Sequence, residues 1–285
     1  ILDLRATFEP AKWFHLRVGQ WKSDYNRERI DSSAKQQFVE RSISTYWFTI
    51  DRQPGIMASG RIGEGRRGDS SYWLGLLMGT GRGGGRENGD FLWMGRYQWN
   101  FLGRTLGYSQ SDIERRKKPA GSIALAGVVG NTQYTRFSGN GGSQLPGYSD
   151  GAPGRYRLRQ AMLETAFQYC GFSWQQELHV KDIYDFEGQF DSTTLWGGYA
   201  QAGYFFCGLW SWVPRPLELA ARFAFVDPAA KRSSDRQVEV SFAANWFFEG
   251  HRNKLTFDVS YLEFDNETSG RENDVRFRFQ WEVAL

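Results

Sequence analysis

The stretch VRFRFQWEVAL, residues 275–285, decides the fold. Taken by twos, Val275, Phe277, Phe279, Trp281, Val283 and Leu285 fall on one side, and Arg276, Arg278, Gln280, Glu282 and Ala284 on the other. Alternation over this length specifies a β-strand with one apolar and one polar face. In a soluble sandwich the aromatics would be core and the arginines surface. In a membrane barrel the aromatics face lipid and the arginines face a water-filled lumen. The rest of the chain has to choose between the two.

Composition keeps the membrane reading open. Of 285 residues, 40% are hydrophobic and 16% aromatic, with 12 Trp, 13 Tyr and 22 Phe, yet the mean hydropathy is −0.56. That is too aromatic for disorder and too polar for helical spans. No run approaches the ~18 apolar residues that a transmembrane helix needs, whereas barrel strands alternate and average out to polar. The 35 basic and 32 acidic residues leave a net charge of +3, so no nucleic-acid partner is expected. Two cysteines without a CxxC or a Cys/His cluster offer no zinc or haem site, and no metal or cofactor is expected. The chain does not open on Met and alternates from residue 1, which points to processing or to missing N-terminal sequence.

The alternation recurs upstream. Leu217, Leu219, Ala221, Phe223 and Phe225 alternate with polar or small residues, as do Val238 to Phe248, Leu255 to Tyr261, and Phe172 to Val180. Short connections (CysGly at 170–171, 249–253) alternate with long polar ones such as SGNGGSQLPGYSDGAPG. Short turns at one end and long loops at the other are the plan of an outer-membrane barrel, whereas a sandwich has comparable loops at both ends. Aromatics cluster near strand ends, as interfacial girdles do: Trp93, Tyr97 and Trp99; Tyr204 to Trp212; Trp246 to Phe248.

Counting back from a last strand that descends to the periplasm gives spans at 272–284, 252–265, 235–249, 215–227, 192–206, 171–184 and 156–169. Further upstream come 120–137, 90–100, 70–79, 54–63, 11–20 and 1–9, about 13 in all. Segment 101–119 is left on the periplasmic side, and 21–53 becomes a long outer loop able to fold into the lumen. Single-chain bacterial barrels have even strand numbers, so about three strands before Ile1 would complete a barrel of about 16.

LRVGQWK (16–22), FVERS (38–42) and DRQPGIMASG (51–60) resemble motifs of the phosphate-selective porin O and P family. WMGRYQWNFLG (93–103), NWFFEGHRNKLTFDVSYLEFDN (245–266) and the closing VRFRFQW continue the likeness over most of the chain. The resemblance implies a 16-stranded, homotrimeric channel of the bacterial outer membrane for phosphate-like anions or small polar solutes. Two departures are the absent N-terminal strands and Leu285, where such barrels commonly end in an aromatic.

Selectivity requires charge on the lumen face at a narrow point. Alternation places Arg276, Arg278, Arg222 and Lys181 there, with Arg61, Arg96, Arg17 and Arg5 in the N-terminal part. Glu177, Glu218, Glu239, Asp258 and Glu282 also face in, so the lumen is mixed, and these charges could equally be solvated residues paired across strands. Loop 21–53 carries Lys22, Arg27, Arg29, Lys35, Arg41 and Arg52. By resemblance Lys22, Arg41 and Arg52 sit on the family's motif positions. The loop could also simply cover the mouth or touch a neighbouring subunit.

Arg155, Arg157 and Arg159 share one face but have the parity of Ala161 and Leu163. Either a bulge near Gln160 switches faces, or these arginines form an outward rim that could contact lipopolysaccharide phosphates. Cys170 and Cys207 fall nearly opposite across a hairpin, so a disulfide and two free thiols are both open. His15, His179 and His251 lack any triad-like spacing, and the Gly-rich GEGRRG and GTGRGGG lie in turns with no helix to cradle a phosphate, so no enzyme is expected. The expectation is a single all-β domain over 1–285, a transmembrane antiparallel β-barrel embedded in lipid as a passive anion channel. The alternative is a structural barrel or scaffold subunit of a larger envelope complex.

Overall fold

A computed structural model describes residues 2–83, 91–139, 141–149, 152, 154–188, 192–229, 235–266 and 270–283. Thirteen strands form a single sheet in chain order: β1 (Leu4–Ala11), β2 (Phe14–Lys22), β3 (Arg52–Ile62), β4 (Ser70–Leu77), β5 (Leu92–Trp99), β6 (Ala120–Thr132) and β7 (Tyr156–Tyr169), followed by β8 (Phe172–Asp185), β9 (Ser192–Tyr204), β10 (Leu217–Asp227), β11 (Gln237–Glu249), β12 (Asn253–Asn266) and β13 (Gly270–Val283). Each strand pairs antiparallel with the next, and the count matches the thirteen spans read from the sequence. The sheet is not closed: β1 and β13 are its two edges. The departure noted at Leu285 lies outside the described residues.

The two faces are inverted relative to a soluble protein. Phe277, Phe279 and Trp281 are 66–70% exposed, while the inward Glu164, Glu177, Glu218 and Asp258 are fully buried. An outward apolar surface of this extent belongs in lipid. The closing strand therefore has its aromatics outside and its arginines inside, where Arg278 Nε donates to Asp258 Oδ1 at 2.8 Å and Nη2 to Ser260 Oγ at 2.9 Å. No described helix is long and apolar enough to cross a membrane, which says nothing of strands.

Three of the six connections at one end are only two or three residues long. Cys170 and Gly171, at φ +49° and +84°, close the β7–β8 hairpin on the pair Tyr169↔Phe172. Two successive positive φ values are the geometry of a two-residue turn that follows the sheet twist.

The cysteines are both free. Cys170 lies at the tip of that turn, beyond the last β8–β9 pair Phe172↔Tyr204. Cys207 sits in a 3-10 turn, its Sγ directed at the carbonyls of Phe205 and Arg215. Cys170, being exposed, is expected to take up a maleimide without prior reduction, read as a mass shift; no labelling until a reductant is added would indicate a bridge.

Three segments fold into the lumen. Residues 23–51 carry α1 (Arg27–Ile30), a 3-10 turn (Ser33–Lys35) and α2 (Ile43–Phe48). Residues 133–139 and 141–149 turn in after Thr132, so the strand expected over 120–137 stops early, and Phe137 bridges to Ile50. Part of 101–119, the segment placed on the periplasmic side, reaches in from that end: Gln110 and Ser111 are buried. Trp47, Phe48, Ile50, Phe137 and Leu145 join wall residues Met57, Leu92, Met94 and Tyr156 in an apolar core inside the barrel. Each such side chain removed from water contributes about 1.5–3 kcal/mol. The lumen is thus partly filled by protein.

Candidate functional site

The wall charges grip segment 23–51 by its backbone. Five acids, one on each of five strands, accept from it. Glu164 takes the amide of Arg27 at 3.2 Å, and Glu177 that of Glu28 at 2.7 Å. Glu218 takes the Gln37 side-chain amide at 2.8 Å, Glu239 the amide of Ile43 at 2.9 Å, and Asp258 that of Val39 at 2.8 Å. Wall cations do the reverse and donate to carbonyls. Arg96 reaches Tyr25 O at 2.9 Å, Lys181 Trp47 O at 3.1 Å, Arg222 Glu40 O at 3.0 Å, and Lys254 Gln36 O at 2.7 Å. An irregular segment in a membrane-embedded barrel must have its polar backbone satisfied by protein or water. The alternating mixed charges of the wall supply those partners.

Inside the segment, Glu28 holds the two helices together. Its carboxylate accepts from the Ser42 amide at 2.7 Å, Ser42 Oγ at 2.8 Å and Thr45 Oγ1 at 2.6 Å, so it satisfies donors in the first turn of α2. The fold back from α2 to α1 then delivers Arg41 to the carbonyls of Glu28 and Asp31, both at 2.9 Å.

Lys22 Nζ converges on the same Asp31 carbonyl, at 3.5 Å. Lys22 pairs across the ladder with Arg52, and Asp51 beside it holds Arg29 by two contacts, one of 2.9 Å. Lys22, Arg29, Arg41 and Arg52 therefore form one cationic cluster on the flank of the segment. Arg52 is tied to Asp3 at 2.8 Å and Arg29 to Asp51. Among the described residues, Lys22 and Arg41 have no carboxylate in ion-pair range and are held by carbonyl oxygens instead. Burial, and then the neighbouring Arg29, hold the Arg41 guanidinium below its ordinary pKa.

Asp31 modulates this cluster. Burial pushes its carboxyl up to about 6, against the pull of the Ser32 amide, Lys35, Arg27 and Arg41. Below that pH the aspartate is protonated and the cluster gains net positive charge. Anion preference is therefore expected to rise as pH falls from about 8 to about 5. In Asp31→Asn it should stay at the low-pH level throughout. A flat wild-type profile of reversal potential against pH would remove Asp31 from the electrostatics of the channel.

The remaining sequence-derived positions divide by surroundings. Arg96 and Arg222 are on the lumen face but sealed under the segment, 2% and 3% exposed. Arg96 pairs with Glu164 at 2.9 Å and Arg222 with Glu239 at 2.5 Å, and both position the segment. Arg278 stands at the segment's edge between Asp258 and Glu40, the latter at 2.7 Å, and Arg276 is exposed beside Asp274. Arg61 lies at the tight-turn end, held by Asp69 and Glu64.

Arg157 and Arg159 face outward: the β6–β7 register runs without a bulge, and Tyr156, Leu158 and Gln160 are the buried, inward residues. Arg155, just before the strand, is bound to Asp185 at 3.0 Å and Glu187 at 3.3 Å. Glu164 and Arg27, which no motif singled out, prove central. Their signal in the sequence is an ionisable residue at an inward strand position together with another in a loop long enough to reach it.

Residues 1–121 and 149–282 match the family described as phosphate-selective porin O and P. The chain belongs to that family. It is a porin of the bacterial outer membrane and an anion channel, and the envelope-scaffold alternative is not favoured.

Among solved structures, this porin is similar in fold to the anion-selective porin from Comamonas acidovorans, with a TM-score of 0.52 and 10% identity over 96% of this chain and 71% of that one. It is also similar to OccK11 (OpdR) of Pseudomonas aeruginosa, with a TM-score of 0.50 and 12% identity over 99% and 70% of the two chains. The outer-membrane expressed OmpT of Vibrio cholerae gives a TM-score of 0.51 and 8% identity over 98% and 80%. Identities this low carry the fold alone. The sequence matches no curated protein.

Proposed function

We propose that this porin passes small anions, phosphate-like or otherwise compact and polar, between the flank of segment 23–51 and the lumen faces of β13 and β1–β3. Lys22, Arg29, Arg41 and Arg52 form its filter. The observation that carries this reading is the pair Lys22 and Arg41, cations held by carbonyl dipoles with no carboxylate in contact. A cation without a carboxylate in contact keeps more of its field for a passing anion, the more so between low-dielectric walls. Arg276 and Arg278 on β13, and Arg5 on β1, extend the basic lining along the strands. No cofactor enters, and the solute gradient drives transport.

Three further elements belong to the same reading. Unpaired strand edges do not persist in lipid. Strands beyond these thirteen, to a total of about 16, therefore close β1 to β13. The outward Arg157 and Arg159, at the long-loop end, contact lipopolysaccharide phosphates. The assembly is a homotrimer, as in the resemblance drawn from the motifs.

The test is the reversal potential of the purified, full-length protein in a planar bilayer under a KCl gradient. An anion-selective potential, with current reduced when phosphate replaces chloride, is the expected outcome. A folded barrel that carries no current overturns the channel, and a cation-selective potential overturns the filter.

A further inference from the structure

At the tight-turn end the lipid-facing aromatics do not stop with the strands. Tyr204, the last residue of β9, meets Phe206 edge-on at 5.0 Å. Phe206 stacks on Trp210 at 5.2 Å, and Trp210 on Trp212 at 5.9 Å with planes 15° apart. Trp210 is 49% and Trp212 78% exposed. A ladder of three stacked rings thus leaves the sheet and continues its apolar band into the connection 205–216.

A second connection, residues 100–119, lies against the first. The Arg115 guanidinium sits 5.1 Å from the Phe205 ring and donates to the Arg215 carbonyl. The Cys170 amide donates to Arg116 O at 3.0 Å. Arg104 donates to Pro119 O at 3.0 Å and closes the segment behind the basic run. Across 100–119 and 205–216 there are six cations (Arg104, Arg115, Arg116, Lys117, Lys118, Arg215) and two acids. One of those acids, Asp112, is buried and accepts from the Arg116 and Gly171 amides, which leaves Glu114 as the exposed carboxylate of these segments. Lys117, Lys118 and Arg215 are exposed.

We propose that this patch is an interfacial binding site for anionic phospholipid, with the Trp210–Trp212 ladder set at the headgroup level and Lys117, Lys118 and Arg215 on the lipid phosphates. Indoles prefer the membrane–water interface. Cations held at that depth attract anionic headgroups, each lysine or arginine adding to the attraction. Continuity with the lipid-facing band selects a lipid, rather than a cell-wall polymer or an acidic protein, as the occupant. The tight-turn end of such a barrel faces the periplasm, so the lipid is one of the inner leaflet. The site depends on membrane placement and is separate from the proposed anion filter.

The test uses the full chain reconstituted in vesicles containing brominated phosphatidylglycerol or brominated phosphatidylcholine. The signal is the part of the tryptophan quenching that disappears in Trp210→Phe/Trp212→Phe. Quenching of that signal should favour phosphatidylglycerol roughly tenfold in relative binding constant, and Lys117→Gln/Lys118→Gln should remove most of the preference. Raised salt should weaken it in the wild type, since exposed cations are screened. Equal quenching by the two lipids, or a preference that the lysine variant leaves intact, overturns the proposal. Neither result bears on whether the channel conducts anions.

Discussion

Replacing Glu164 by alanine is expected to release segment 23–51 from the wall and raise single-channel conductance several-fold. This carboxylate is fully buried on β7 and serves two guanidiniums, Arg27 Nε at 2.9 Å and Arg96 at 2.9 Å, besides the Arg27 amide. Arg27 Nη2 and Arg96 Nε already have no partner among the described residues. Removing one partner of a buried ion pair costs about 3–5 kcal/mol, because the other charge stays desolvated. Here two guanidiniums would lose their carboxylate and keep only neutral acceptors, Gly107 O for Arg27, and Tyr25 O and the Gln98 side chain for Arg96. The cheapest relaxation swings Arg27 into the aqueous lumen and takes α1 with it. Glu164→Gln, which retains an acceptor oxygen, should show a smaller increase.

The check combines conductance with limited trypsin digestion. Cleavage at Arg27, Arg29 or Lys35 should accelerate in Glu164→Ala while the barrel keeps its folded electrophoretic mobility. Unchanged conductance together with unchanged cleavage would mean that Glu177, Glu218, Glu239 and Asp258 hold the segment without Glu164.

The thirteen strands were legible in the sequence because lipid outside and polar groups inside impose a period of two on every span. Between Lys22 and Arg52 alternation fails, over too many residues for a simple turn. What alternation does not encode is what stands in front of each inward charge. Arg222 and Arg278 have the same parity and the same chemistry, yet Arg222 is sealed beneath Glu40 and Phe38 while Arg278 stands at the edge of segment 23–51. The distinction lies in the path of segment 23–51, a tertiary fact.

The Arg155 to Arg159 ambiguity has a related cause. At the long-loop end the polarity inverts, because residues 133–139 and 141–149 cover the inside with apolar contacts. Tyr148 packs edge-on against Tyr156 at 5.6 Å, and the Tyr156 hydroxyl donates to Ser149 O at 2.8 Å. Arg157 and Arg159 therefore turn out, against the rule that holds lower in the same strand, with no bulge required.

The same division between socket and passage sets the selectivity expected of the variants. Lys22→Gln/Arg41→Gln is expected to lower the chloride-over-potassium permeability ratio roughly tenfold or more, since an anion about 4 Å from one cation gains about 1 kcal/mol in bulk water and about 4 kcal/mol at an effective dielectric of 20. Among the described residues neither charge has a carboxylate in contact, so neutralising them removes two of the cluster's four positive charges while Asp31 and Asp51 remain. Arg276→Gln should do much less. Arg276 is exposed and already opposed by Asp274 at 3.3 Å, and pairs of this kind contribute little.

Arg222→Gln should act differently again. It leaves Glu239 without its guanidinium and loosens the seat of Glu40 and Phe38, so its signature is unstable, noisy current rather than a shifted potential. Reversal potentials for the three variants, measured in one gradient, distinguish a filter from a socket. If Arg276→Gln shifts the potential as far as the Lys22/Arg41 double variant, selectivity is a diffuse property of the lumen, and the cluster on segment 23–51 has no special part in it.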